Sequence, residues 1–182
     1  MRNVFFTRLK SRIGSFRRRE SGAATVEFAL IFPAYIFVFL SAFEVGLANI
    51  RMVMIERASD LAVRALRLNT GNPPSYNDIK TAVCNAAGII PECMDFIQIE
   101  LQPVSTTTWN LLDNNADCID RASTIDPVVA FSNGQQNELM IVRVCAVVDP
   151  IFPAMGMGLI MPKDETGGYR LVASTAFVNE PD

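Results

Sequence analysis

The run from Phe28 to Phe43 carries no charged residue, and with Glu44 admitted the apolar stretch reaches Ile50. As a helix those residues rise roughly 34 Å at ~1.5 Å each, enough to cross a hydrocarbon core of ~30 Å. Pro33 lies inside the run, where it is expected to kink the helix or open its first turns. Past Arg51 the pattern becomes amphipathic. Val53, Met54, Ala58, Leu61, Ala62, Ala65, Leu66 and Leu68 recur near helical spacing, with Arg51, Glu56, Arg57, Asp60, Arg64 and Arg67 between them. Asn69-Thr70-Gly71-Asn72-Pro73-Pro74 then supplies a glycine cap and prolines that stop the helix. One helix is predicted from Ala23 to about Asn69, suited to lipid in its first half and to packing under a domain in its second.

The rest of the chain alternates differently. Ser75-Tyr76-Asn77-Asp78 is a capping-box-like start for a short helix through Ile79, Ala82, Val83 and Ala86, ended by Gly88. Met94 to Val104 sets Ile97, Ile99 and Leu101 against Gln98, Glu100 and Gln102, the period of a strand. Leu139 to Val148 is nearly continuous and β-branched, as a central strand would be. Tyr169 to Val178 is a third strand. A polar excursion, 105–137, separates the first two strands. The segment 149–168 sets Phe152, Met155, Leu159, Ile160 and other apolar residues among glycines and prolines. Its simplest role is packing over the sheet; if exposed, Phe152, Met155, Met157 and Met161 are candidate partner contacts. The predicted class is α+β: a long N-terminal membrane-spanning helix, then a small antiparallel-sheet domain with one or two short helices. The divisions are 1–22, a basic leader; 23–70, the helix, spanning at about 28–50; and 75–182, the α+β domain.

Charge adds an orientation. Arg2, Arg8, Lys10, Arg12, Arg17, Arg18 and Arg19 precede the first acid, Glu20, so a net charge of −3 divides into +7 here and −10 beyond. A basic arm beside a hydrophobic run is held in the cytoplasm by the positive-inside rule, which accounts for it better than nucleic acid does. The order is basic arm, small residues, apolar run, whereas a secretory leader places its small cleavage residues after the apolar core.

The four cysteines, Cys84, Cys93, Cys118 and Cys145, all lie beyond the span and form no C-x-x-C pair. That suits two disulfides in an oxidising compartment. Of three possible pairings, the short local loop favours Cys84–Cys93, leaving Cys118–Cys145. Histidine is absent, which removes the commonest general base and metal ligand and every Ser/His/Asp or Cys/His constellation. Asp113, Asp117 and Asp120 lack the ligand alternation and central glycine of a calcium loop. Gly156 and Gly158 sit in too apolar a context for a phosphate loop. No enzyme activity, metal or cofactor is expected.

Glu27 stands out, because a carboxylate at the head of a membrane helix is costly and calls for a partner. Glu44, at the far end of the run, is expected at the outer interface, or else against a second subunit. Gly22-Ala23-Ala24-Thr25-Val26-Glu27-Phe28 resembles the class III signal of type IV prepilins. More narrowly, Ser21 to Leu30 with Pro33 resembles the opening of TadE/TadF-like pseudopilins of the tight-adherence (Flp) pilus system. The ending Ala173 to Pro181, with Asn179-Glu180-Pro181, resembles that family's final strand; the middle of the chain is uncovered.

The resemblance implies cleavage between Gly22 and Ala23 by a prepilin peptidase. Glu27, with Phe28 beside it, would then meet the new amine of a neighbouring subunit during assembly. It implies a minor pilin or pseudopilin in the inner membrane, single-pass, with a cytoplasmic N-terminus and a periplasmic domain, acting with other pilins and the Tad assembly platform in adhesion and biofilm formation. Flp major pilins are far smaller and commonly place Tyr where this chain has Phe28, which points to a minor component. The rivals are an uncleaved membrane-anchored periplasmic binding or scaffold domain and, more distantly, an anchored periplasmic enzyme.

Overall fold

A computed structural model describes residues 23–69, 71–109, 116–123 and 127–181. The basic leader, 1–22, lies outside the described residues. Helix α1, Ala23–Leu68, is a single helix of 46 residues that continues through Pro33 without interruption. Its two halves live in different surroundings. From Ala24 to Phe43 the side chains are exposed or half-buried. From Glu44 onward one stripe is covered: Arg51, Ile55, Ala58, Ser59, Ala62, Val63 and Leu66 are buried at the i, i+3, i+4, i+7 spacing of one helical face.

That stripe lies on a three-stranded antiparallel sheet ordered β1 (Ile97–Pro103), β2 (Leu139–Val148), β3 (Tyr169–Val178). Register pairs Ile99 with Val144 and Val144 with Ala173. Alternation sends Ile97, Ile99, Leu101, Met140, Val142, Val144, Leu171, Ala173 and Phe177 into one core with Ile55, Ala58 and Leu66 of α1. A second helix, α2 (Tyr76–Ala86), adds Ile79 and Val83 to that core. Its capping box closes in full: Asp78 N–H donates to Ser75 Oγ, and Ser75 N–H donates to the Asp78 carboxylate at 3.0 Å.

The opposite face of β2 is also covered, which is why β2 reads as a continuous apolar run. Cys118 and Cys145 are bonded and form a second small core with Val147. Gln98 Nε2 donates to the Pro127 carbonyl at 2.7 Å. The polar excursion is therefore pinned on the sheet at Cys118 and Pro127, and its residues 130–132 also guard the free edge of β1. Leu101 N–H donates to Ala130 and Ser132 N–H donates to Leu101, both at 2.8 Å.

Two local expectations are corrected. Cys93–Phe96 is a helical turn, α3, so β1 begins at Ile97 and not at Met94. The reason lies just upstream: Glu92 adopts φ 48, the left-handed region, and Cys93 is bonded back to Cys84. The segment after β2 contains a helical turn, α4 (Met157–Ile160), and leans on α1 instead of lying over the sheet.

Candidate functional site

The first half of α1 is a bare apolar arm. Phe28 is 61% exposed, and Leu30, Tyr35, Val38 and Phe39 are similarly open. Aromatic rings pair along it at the i, i+4 spacing, Phe28 with Phe32 at 4.9 Å and Tyr35 with Phe39 at 6.4 Å. Among the described residues, no other element covers the most apolar window of this helix. Glu27 is exposed one turn into the helix, and among the described residues nothing bonds to it. Gly22, half of the expected cleavage pair, lies outside the described residues; Ala23 is the first residue of α1.

Where the arm meets the domain, the chain builds a clamp. Glu44 is fully buried. Ile151 N–H donates to both of its carboxylate oxygens at 3.1 Å, and Phe152 N–H donates to one at 3.1 Å. Glu44 faces its own chain, whose Ile151 and Phe152 amides serve its oxygens in place of a second subunit. Phe43 meets the Phe152 ring edge-on at 6.2 Å. One turn nearer the arm, Gly156 passes so close to Ser41 that a Cβ there would stand 2.8 Å from its hydroxyl and 3.1 Å from its backbone nitrogen. Gly156 also has φ 58, which disfavours any side chain.

Seven residues past Glu44, on the same face, Arg51 Nη1 donates to the Asp149 carbonyl at 3.1 Å and to the Tyr169 hydroxyl at 2.8 Å. Asp149 in turn pairs with Arg121 at 2.8 Å, and Asp164 lies 3.5 Å from the same guanidinium. Burial acts to raise the Asp164 carboxyl, but bonds from Thr166 and Gly168 and the charge of Arg121 outweigh it and hold it below its ordinary value. Arg51, Asp149, Arg121 and Asp164 thus form a charged belt around the base of the domain.

Of the apolar residues predicted as partner contacts, Met155 and Met157 are exposed. Phe152 is half-buried against Phe43, and Met161 packs on the main core. Cys84–Cys93 and Cys118–Cys145 are the bonded pairs. On the outer face of the sheet, Glu100 and Arg143 are directly opposite and form a buried ion pair at 3.0 Å. Among the described residues, no group of three or more metal-ligating side chains could hold an ion.

The fold and this site define a class: a disulfide-pinned α+β head on one N-terminal helix long and apolar enough to cross a membrane. Residues 22–64 match the family model described as TadE-like protein, so the arm and the clamp-bearing part of α1 are TadE-like. The match covers less than a quarter of the chain and shows a likeness over that segment. No curated protein and no solved structure matches the chain.

Proposed function

We propose that this chain is a pseudopilin or minor pilin that takes part in assembling or initiating a Tad-type pilus, and so supports adhesion and biofilm formation. The observation that carries the reading is the bare arm: about 20 apolar residues, headed by an exposed Glu27, project from a finished domain and coincide with the TadE-like segment. Such a surface is stable in lipid or against other helices of the same kind. The basic leader stays cytoplasmic, a prepilin peptidase cuts between Gly22 and Ala23, and the disulfide-bonded head stands in the periplasm. Glu27 then neutralises the new ammonium of an adjacent subunit, with Phe28 packing beside it. The Tad assembly platform and other pilins are the partners.

The test is Glu27→Ala in the native cell. The variant is expected to accumulate in the membrane at the normal level while filaments sheared from the surface are lost. Normal filaments from a strain lacking the protein altogether would overturn the reading and favour an uncleaved anchor with a binding or scaffold head.

A further inference from the structure

We infer that the loop Pro150–Pro162 is a second membrane contact, dipping into the outer leaflet beside the spanning helix; this rests on the membrane-anchored reading above. The loop carries no charge from Pro150 to Pro162, and its charged neighbours are Asp149 on one side and Lys163 and Asp164 on the other. Asp149 and Asp164 belong to the belt that Arg51 and Arg121 complete. Asp149 and Asp164 flank the loop at its two ends. The loop lies on the arm's side of the belt, because Gly156 touches Ser41 and Phe152 touches Phe43, both inside the apolar stretch of α1.

The side chains at that level face outward. Leu159 is 60% and Ile160 68% exposed, and Ile151, Met155 and Met157 are also open. In water these would form a costly apolar tip. Level with a helix whose own surface suits lipid, they are continuous with it. The polar groups are arranged to match. Glu44 would be an unpaired carboxylate inside the apolar stretch, and the Ile151 and Phe152 amides occupy its oxygens. Lys163, just outside the loop, reaches back along it, its Nζ donating to the Pro153 carbonyl at 2.9 Å. A bilayer suits this face better than a second protein does, because its exposed apolar side chains continue the bare apolar surface of α1 and the loop carries no charged side chain.

Trp109 is the single tryptophan and is exposed, so Trp109→Phe gives a silent background. Full-length Trp109→Phe/Leu159→Trp and Trp109→Phe/Val38→Trp proteins would be reconstituted in phosphatidylethanolamine–phosphatidylglycerol vesicles with and without brominated acyl chains. The expected result is that both tryptophans lose most of their emission. Leu159→Trp should lose more to bromines placed near the headgroups than to bromines near the bilayer centre. Quenching at Val38→Trp with red-shifted, unquenched emission at Leu159→Trp would put the loop in water and overturn the inference while leaving the anchor intact. Blue-shifted but unquenched emission at Leu159→Trp would mean that protein covers it, which also overturns it. No quenching at Val38→Trp would remove the anchored reading itself, and the inference with it.

Discussion

Glu44 takes the Ile151 N–H on both carboxylate oxygens at 3.1 Å, so a loop more than a hundred residues downstream is held against the helix by an acid buried within the apolar stretch. Replacing it with alanine leaves two amides without their charged acceptor, a loss of about 1.5–3 kcal/mol for bonds of this kind. Glu44→Ala should therefore leave the sheet intact and release the loop. Hydrogen exchange by mass spectrometry in micelles should show faster exchange over 150–162 and unchanged protection over 139–148. Unchanged exchange at the loop would contradict the clamp.

Gly156 makes the companion prediction. Its φ of 58 and its approach to Ser41 exclude a Cβ on two independent grounds. Gly156→Ala should cost on the order of 1–3 kcal/mol of local stability, with the same exchange signature as Glu44→Ala. Gly167→Ala also has positive φ, but nothing lies within 4 Å of its Cβ position. It should leave exchange over 150–162 unchanged, which separates backbone strain from the lost approach to Ser41.

The Cys118–Cys145 bond closes a span of 27 residues over the outer face of β2. By chain entropy such a cross-link is worth about 3.5 kcal/mol. Cys118→Ser/Cys145→Ser should lower the urea midpoint accordingly and open the excursion. Arg121, whose guanidinium is held by Asp149 and Asp164, should then become a trypsin site. Digestion and mass analysis report the cut directly; resistance equal to wild type would show that the ion pairs hold the segment alone.

Burial pushes the Glu100 carboxyl above its ordinary value of 4.5, against the pull of Arg143 and with the help of the Asp117 charge. The folded state then keeps this proton longer than the unfolded chain as pH rises above 4.5. In that window the unfolded state binds fewer protons, so this group makes stability fall with rising pH. Urea midpoints measured from pH ~4.5 toward neutrality should show that downward contribution in wild type and its absence in Glu100→Gln. Parallel profiles for the two proteins would contradict the assignment.

What the sequence revealed was local. Helical spacing along α1, the capping box at Ser75 and strand alternation at Ile97 to Gln102 depend on neighbours within a turn or a strand, and periodicity reports them. The partners of Glu44 were missed because its oxygens accept from the backbone amides of Ile151 and Phe152, and backbone donors have no sequence signature. A signal did exist: an acid seven residues before Arg51 shares its buried face, and an uncharged, proline-bounded loop must dock somewhere. Met94–Phe96 was read as strand by carrying the alternation of Ile97, Ile99 and Leu101 upstream, although Met94 and Phe96 fall on its polar positions, and the left-handed turn at Glu92 has no periodic signature.

The central claim, that the chain is a processed pilin-type subunit, is tested most directly by its mature N-terminus. The measurement is the intact mass and N-terminal residue of the membrane-extracted protein, from cells with and without their prepilin peptidase. The account predicts a chain beginning at Ala23 only where the peptidase is present, and at Met1 where it is absent. A chain beginning at Met1 in both cells would contradict it.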